Sequence, residues 1–122
     1  MIENPYFSND ELKCSCCGEN KFNDNTLRRL IAVREQVGPM VISSGFRCEA
    51  YNTAKGYTQT HATGQAVDVR IAGGDALRVV GMAIRAGFTG VGVSQKGDWA
   101  GRFIHLDDLT ADQAPRPAMW SY

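Results

Sequence analysis

Apolar positions recur with a helical period between residues 24 and 37, where Leu27, Leu30, Ile31 and Val37 fall on one stripe. Asn23 or Asp24 can cap this segment and Gly38-Pro39 stops it, so the spacing predicts a helix over 24–37. Residues 40–44 read as a short strand running into Gly45, and 48–55 as a short helix before a loop from Gly56 to Gly64. From 65 to 71 the period becomes two: Val67, Val69 and Ile71 point one way, Ala66, Asp68 and Arg70 the other. A second helix is expected over about 75–86, capped by Asp75 and ended by Gly87, with Leu77, Val80 and Ile84 buried. Residues 89–94 and 102–108 read as two further strands. In the latter, Ile104 and Leu106 face one way while Phe103, His105 and Asp107 face the other.

The ends lack such periods. Residues 1–22 and 110–122 read as irregular, and Pro115 and Pro117 bring no amide donor to a strand. Helices on the apolar side of a sheet whose other side stays open imply one α+β domain across 1–122, mainly antiparallel. A chain of 122 residues is enough for one core without a dense set of cross-links. Thirteen basic residues balance thirteen acidic ones, so no long-range positive field favours nucleic acid or an anionic lipid surface. Met1 to Pro5 lacks the basic and then apolar order of a secretory leader, and no run approaches the ~18 apolar residues of a spanning helix. The expectation is a chain made in the cytoplasm that does not export itself.

Cys14, Cys16, Cys17 and Cys48 are even in number, but three crowd into four positions, unlike a secreted disulfide framework. They read either as reduced thiols, or a disulfide tying the N-terminal segment to Cys48, or as a thiolate metal turn. Structural zinc usually takes two separated ligand pairs and Cys48 stands alone, which weighs against the metal. Adjacent Cys16 and Cys17 are poorly placed to bridge each other.

Only two histidines occur, and each has a carboxylate nearby: His61-Ala-Thr-Gly64-Gln-Ala66-Val-Asp68, and His105-Leu-Asp107. His61 lies in the loop that enters the strand carrying Asp68, and Gly64 permits a tight return over the sheet. His105 shares the polar face from a neighbouring strand. Two imidazoles and one carboxylate make a three-ligand zinc site with an open position, the catalytic type. The plainer alternative makes His61 a solvated loop residue, pairs Asp68 with Arg70 or Arg47, and leaves His105 a satisfied strand residue. A carboxylate among apolar strand neighbours nevertheless requires compensation.

Ser44-Gly45-Phe46-Arg47, Asn52, the His61-to-Asp68 motif and Ile104-His105-Leu106-Asp107 together resemble the M15 zinc peptidases. Phe7-Ser8-Asn9-Asp10-Glu11 and the cysteine cluster ending at Gly18 are similar to the phage-type domains of the branch with D-Ala-D-Ala carboxypeptidases and endolysins. The resemblance implies a Hedgehog/D-Ala-D-Ala peptidase type of fold, Zn²⁺ held by His61, Asp68 and His105, and Arg47 on a substrate carboxylate or carbonyl. It implies hydrolysis of an amide bond in the stem peptide of bacterial peptidoglycan; the chain is expected to be a monomer and, lacking a leader, to reach the wall by holin-type release, within a phage particle or through an upstream fused domain. Ser44 is a candidate for a minor substrate hydrogen bond.

The general base is where the likeness fails. Relatives of the dipeptidase type carry Glu three residues before the last histidine, and here that position is Arg102. Asp107, two residues along the strand from His105, is a candidate catalytic base or a partner for a ligand histidine or Arg47, and Asp98 is the second candidate base. Arg102 also leaves open a metal-containing wall-binding module without turnover. A third reading is a small interaction domain whose only metal sits on the cysteines. Tyr57, Trp99 and Trp120 receive no role.

Overall fold

The computed structural model describes all of residues 1–122. In chain order the elements are α1 (Asn9–Leu12), α2 (Asp24–Val37), β1 (Val41–Ser44), α3 (Glu49–Lys55), β2 (Ala66–Arg70), α4 (Gly73–Ala86), β3 (Gly90–Ser94), β4 (Phe103–Asp107) and β5 (Ala118–Ser121). Two short 3-10 turns, Thr60–Thr63 and Trp99–Gly101, precede β2 and β4. The strands form one sheet in the order β1-β2-β4-β3-β5. β1 with β2, β2 with β4 and β3 with β4 run antiparallel, and β3 with β5 runs parallel. The α+β class and its mainly antiparallel sheet agree with the sequence. No helix is long and apolar enough to cross a membrane.

Asn23 caps α2 by accepting from the Thr26 amide at 3.0 Å, and Gly38 ends the helix at φ 90°. Leu27, Leu30 and Val33 then meet Val67, Val69, Ile104 and Leu106 of the sheet in one core. Full burial of such side chains contributes about 1.5–3 kcal/mol each. Arg29 and Thr26 of α2 both donate to Asp108, which ties that helix to the end of β4.

Three expectations need correction. α4 begins at Gly73, without a side-chain cap, and Asp75 lies in its first turn rather than capping it. Its buried stripe is Ala76, Val79 and Ala83, while Leu77 and Ile84 are 74% and 61% exposed. Small residues on that face let α4 pack closely against α2, so the contact selects side-chain size as well as hydrophobicity.

The N-terminal segment is not a loose end. Ser8 and Glu11 form a capping box, each side chain accepting from the other's amide, at the start of α1. Phe7, Leu12 and Phe22 join the core, and Leu12 accepts from the Phe46 amide at 2.9 Å.

The tail is not irregular throughout. Once Pro117 has passed, the amides of Ala118 and Tyr122 donate to Thr89 and Val93, adding β5 to the sheet edge. Proline excludes its own position from the ladder but not the residues after it.

Candidate metal centre

The antiparallel register of β2 and β4 sets Asp68 opposite His105, both on the sheet face away from the helices. His105 Nδ1 lies 3.1 Å from Asp68 Oδ1. His61, on the turn ended by Gly64 at φ 77°, brings its Nε2 to 3.3 Å from the same oxygen. The three donor atoms lie within 4.8 Å of one another, and both imidazoles are buried.

The remaining ring nitrogens decide what this cluster can do. His61 Nδ1 lies 2.8 Å from the Gly45 carbonyl, which can only accept, so that nitrogen carries the hydrogen. His105 Nε2 lies 2.7 Å from Asp107 Oδ2 and donates to it. His61 Nε2 and His105 Nδ1 are therefore the nitrogens turned towards Asp68, and each would offer a lone pair to a cation once free of its proton, the orientation that a backing carbonyl or carboxylate gives to metal-ligating histidines. Burial opposes ionisation of Asp68, but His105 and His61 outweigh it and hold the carboxyl well below the usual range. Burial likewise opposes charge on His105, while Asp107 and Asp68 at its two nitrogens raise its pKa. The pocket is thus built around positive charge, and its N, N, O donor set suits a borderline divalent ion.

Asp107 is fully buried and has no free oxygen. Arg116 donates to both of its oxygens, His105 to Oδ2, and the Leu109 amide to Oδ1. Burial pushes the Asp107 pKa up, yet Arg116 and His105 bring it down to about 2. Its side chain orients His105 and is turned from the cleft, which gives the expectation of a base at Asp107 no geometric support. Its arginine partner is Arg116, not Arg47. Glycine at 90 is required here, since a Cβ would run into the Asp107 carboxylate and stand 2.6 Å from Arg116 Nε.

A cleft of about 710 Å³ opens over His61, Asp68 and His105. Arg47 lines it, with its guanidinium 4.9 Å from the Tyr57 ring centroid and its buried Nε without a partner. Ser44 pairs in register with Asp68 but does not line the cleft, and neither does Asp98, which is exposed in the loop before β4. Arg102 donates to the Gly97 carbonyl and lies over Trp99, away from the cleft. Asp68 is the one carboxylate in the lining.

Part of the lining comes from the tail, and the sequence reading missed it. Arg116, Trp120 and Tyr122 line the cleft, with Arg116 stacked 5.0 Å from the Trp120 ring centroid and Trp120 centred 5.2 Å from His105. Gly92 clears space for Trp120, whose Nε1 would stand 2.6 Å from an added Cβ. The signal was present as Ala118, Trp120 and Tyr122 at period two after the last proline.

No curated protein matches the chain. A family model described as peptidase M15 matches residues 5–107, a span that holds Arg47, His61, Asp68, His105 and Asp107 and stops short of Arg116. With that match across most of its length, the chain belongs to the peptidase M15 family.

Proposed function

We propose that the protein is a zinc metallopeptidase that hydrolyses an amide bond in the stem peptides of bacterial peptidoglycan, in a phage-type lytic setting. The observation that carries the metal assignment is the backing of both histidines, His61 Nδ1 by the Gly45 carbonyl and His105 Nε2 by Asp107, which leaves His61 Nε2 and His105 Nδ1 together beside Asp68. His61 Nε2, His105 Nδ1 and Asp68 Oδ1 would hold the ion, and two nitrogens with one oxygen fit zinc in an open, catalytic type of site. When bound, zinc supplies Lewis acidity, which polarises a scissile carbonyl and lowers the pKa of water to about 7.

The chain's own residues do the rest. Asp107, clamped by Arg116, keeps a proton on His105 Nε2 and thereby keeps Nδ1 free to ligate. The planar Arg47 guanidinium lines the cleft and suits a substrate carboxylate or peptide carbonyl. Trp120, Tyr57 and Tyr122 give the cleft apolar walls against which a short peptide can lie. Stem peptide as substrate is supported by the motif resemblance and by a cleft that pairs a cationic fork with a metal centre. Access to the wall would come through holin-type release or a phage particle.

One observation favours a second reading, a wall-binding module that keeps its metal without turnover: no carboxylate besides Asp68 faces the cleft. Incubation with purified peptidoglycan separates the two. Release of new amino termini that stops with a chelator and returns with zinc is the expected result. Metal-loaded protein that binds the polymer but releases nothing would establish the module instead.

A further inference from the structure

The three sulfurs of Cys14, Cys17 and Cys48 converge within 4.8 Å of one another, and all four cysteines are free thiols. A disulfide would join two of these sulfurs at about 2.05 Å and leave the third idle. Thiolates around one zinc, each about 2.3 Å from it, stand roughly 3.8 Å apart in a tetrahedron, so the mutual approach of three suits a shared ion better than a bond between two.

The backbone is shaped to the same end. Residues 14–19 fold back on themselves: the Cys14 amide donates to the Glu19 carbonyl at 2.7 Å, and the Gly18 amide to the Cys14 carbonyl at 2.9 Å. Gly18, at φ 76°, takes the left-handed conformation that closes this turn and lets Cys14 and Cys17 offer their sulfurs together. Cys48 arrives from the residue before α3, and its amide donates to Cys14 Sγ at 3.4 Å, a bond that favours thiolate over thiol. The Cys16 thiol meets that of Cys48.

We propose that Cys14, Cys17 and Cys48, with Cys16 at the fourth corner, hold a structural zinc ion distinct from the one at His61, Asp68 and His105. Binding releases the thiol protons to solvent and forms zinc–sulfur bonds, with no change of oxidation state. The ion staples the N-terminal turn to the Arg47-Cys48 step. Arg47 also donates its amide to the His61 carbonyl at 3.3 Å, and Phe46 its amide to Leu12, so the staple holds the cleft wall that carries Arg47. This assignment does not depend on the catalytic reading.

The test is metal counting on the full chain, purified under reducing conditions, beside cobalt(II) substitution. Wild type is expected to hold two zinc ions, and its cobalt form to show the near-ultraviolet thiolate-to-cobalt band. A His61→Ala/His105→Ala chain should hold one ion and keep that band. Cys48→Ser should hold one and lose it. Cys17→Ser, at an exposed position, checks the same loss where Cys48→Ser fails to fold. One ion per wild-type chain without the band, or a disulfide found in its place by mass, would overturn the proposal.

Discussion

Arg116 donates from Nε to Oδ1 and from Nη2 to Oδ2 of Asp107, both at 2.8 Å, closing a two-pronged clamp on a fully buried carboxylate. The clamp links a residue near the chain's end to a candidate metal ligand, because Asp107 in turn accepts from His105. It explains how a carboxylate stays ionised inside the sheet, and why β5 is docked where it is.

Arg116→Ala should therefore cost about 3–5 kcal/mol of stability, since it leaves a buried charge with one partner fewer. Zinc affinity at the His61 centre should fall about 10–100-fold. Arg116→Lys should restore only part of either, because an ammonium cannot match the fork. Denaturant unfolding of the chelated chain and zinc titration of the loaded one measure the two effects.

Acid should dissolve the same clamp. Asp107 titrates at about 2 in the fold against an ordinary 3.8, so the folded state takes up its proton less readily than the unfolded chain. The stabilisation is complete above about pH 4 and is lost as pH falls towards 2. In Arg116→Ala, acid unfolding followed by circular dichroism should show a shallower loss across that interval than wild type.

Asp107→Asn separates orientation from proton transfer. Acting through His105, the substitution should weaken zinc binding about 10–100-fold, and excess zinc should recover most of kcat. A kcat that stays depressed at saturating zinc would make Asp107 the proton acceptor after all.

For Arg47→Ala, KM for stem peptide should rise about 10–100-fold, the worth of a hydrogen bond to a charged group. Its Nε has no protein partner, so stability should change by less than about 1 kcal/mol. Steady-state kinetics with a defined peptide, beside thermal unfolding, reads both.

Gly90→Ala places a methyl group against the Asp107–Arg116 clamp and should destabilise the chain by about 1–3 kcal/mol, with the zinc-affinity loss of Arg116→Ala. Unfolding and zinc titration of this variant test whether the clamp acts as a unit.

Much of this architecture is written in short-range pattern. The alternation through Val67, Asp68 and Val69, and again through Ile104, His105 and Leu106, already places Asp68 and His105 on one open face. The Asn23 cap and Gly38 stop bound α2 as the helical period implies. What local pattern did not carry was pairing at a distance. Leu77 and Ile84 were the largest apolar side chains on α4, yet the close approach to α2 favours Ala76 and Ala83. β5 is four residues long and gains its stability from the edge of β3, so prolines at 115 and 117 hid it. Arg116 could not be matched to Asp107 without that strand in place.

The most direct measurement is anomalous diffraction at the zinc edge from crystals of the zinc-loaded chain. A peak about 2.0–2.2 Å from His61 Nε2, His105 Nδ1 and Asp68 Oδ1 is the expected result. A loaded crystal with no peak among these atoms, or with the ion bound through His61 Nδ1 or His105 Nε2, would contradict the account.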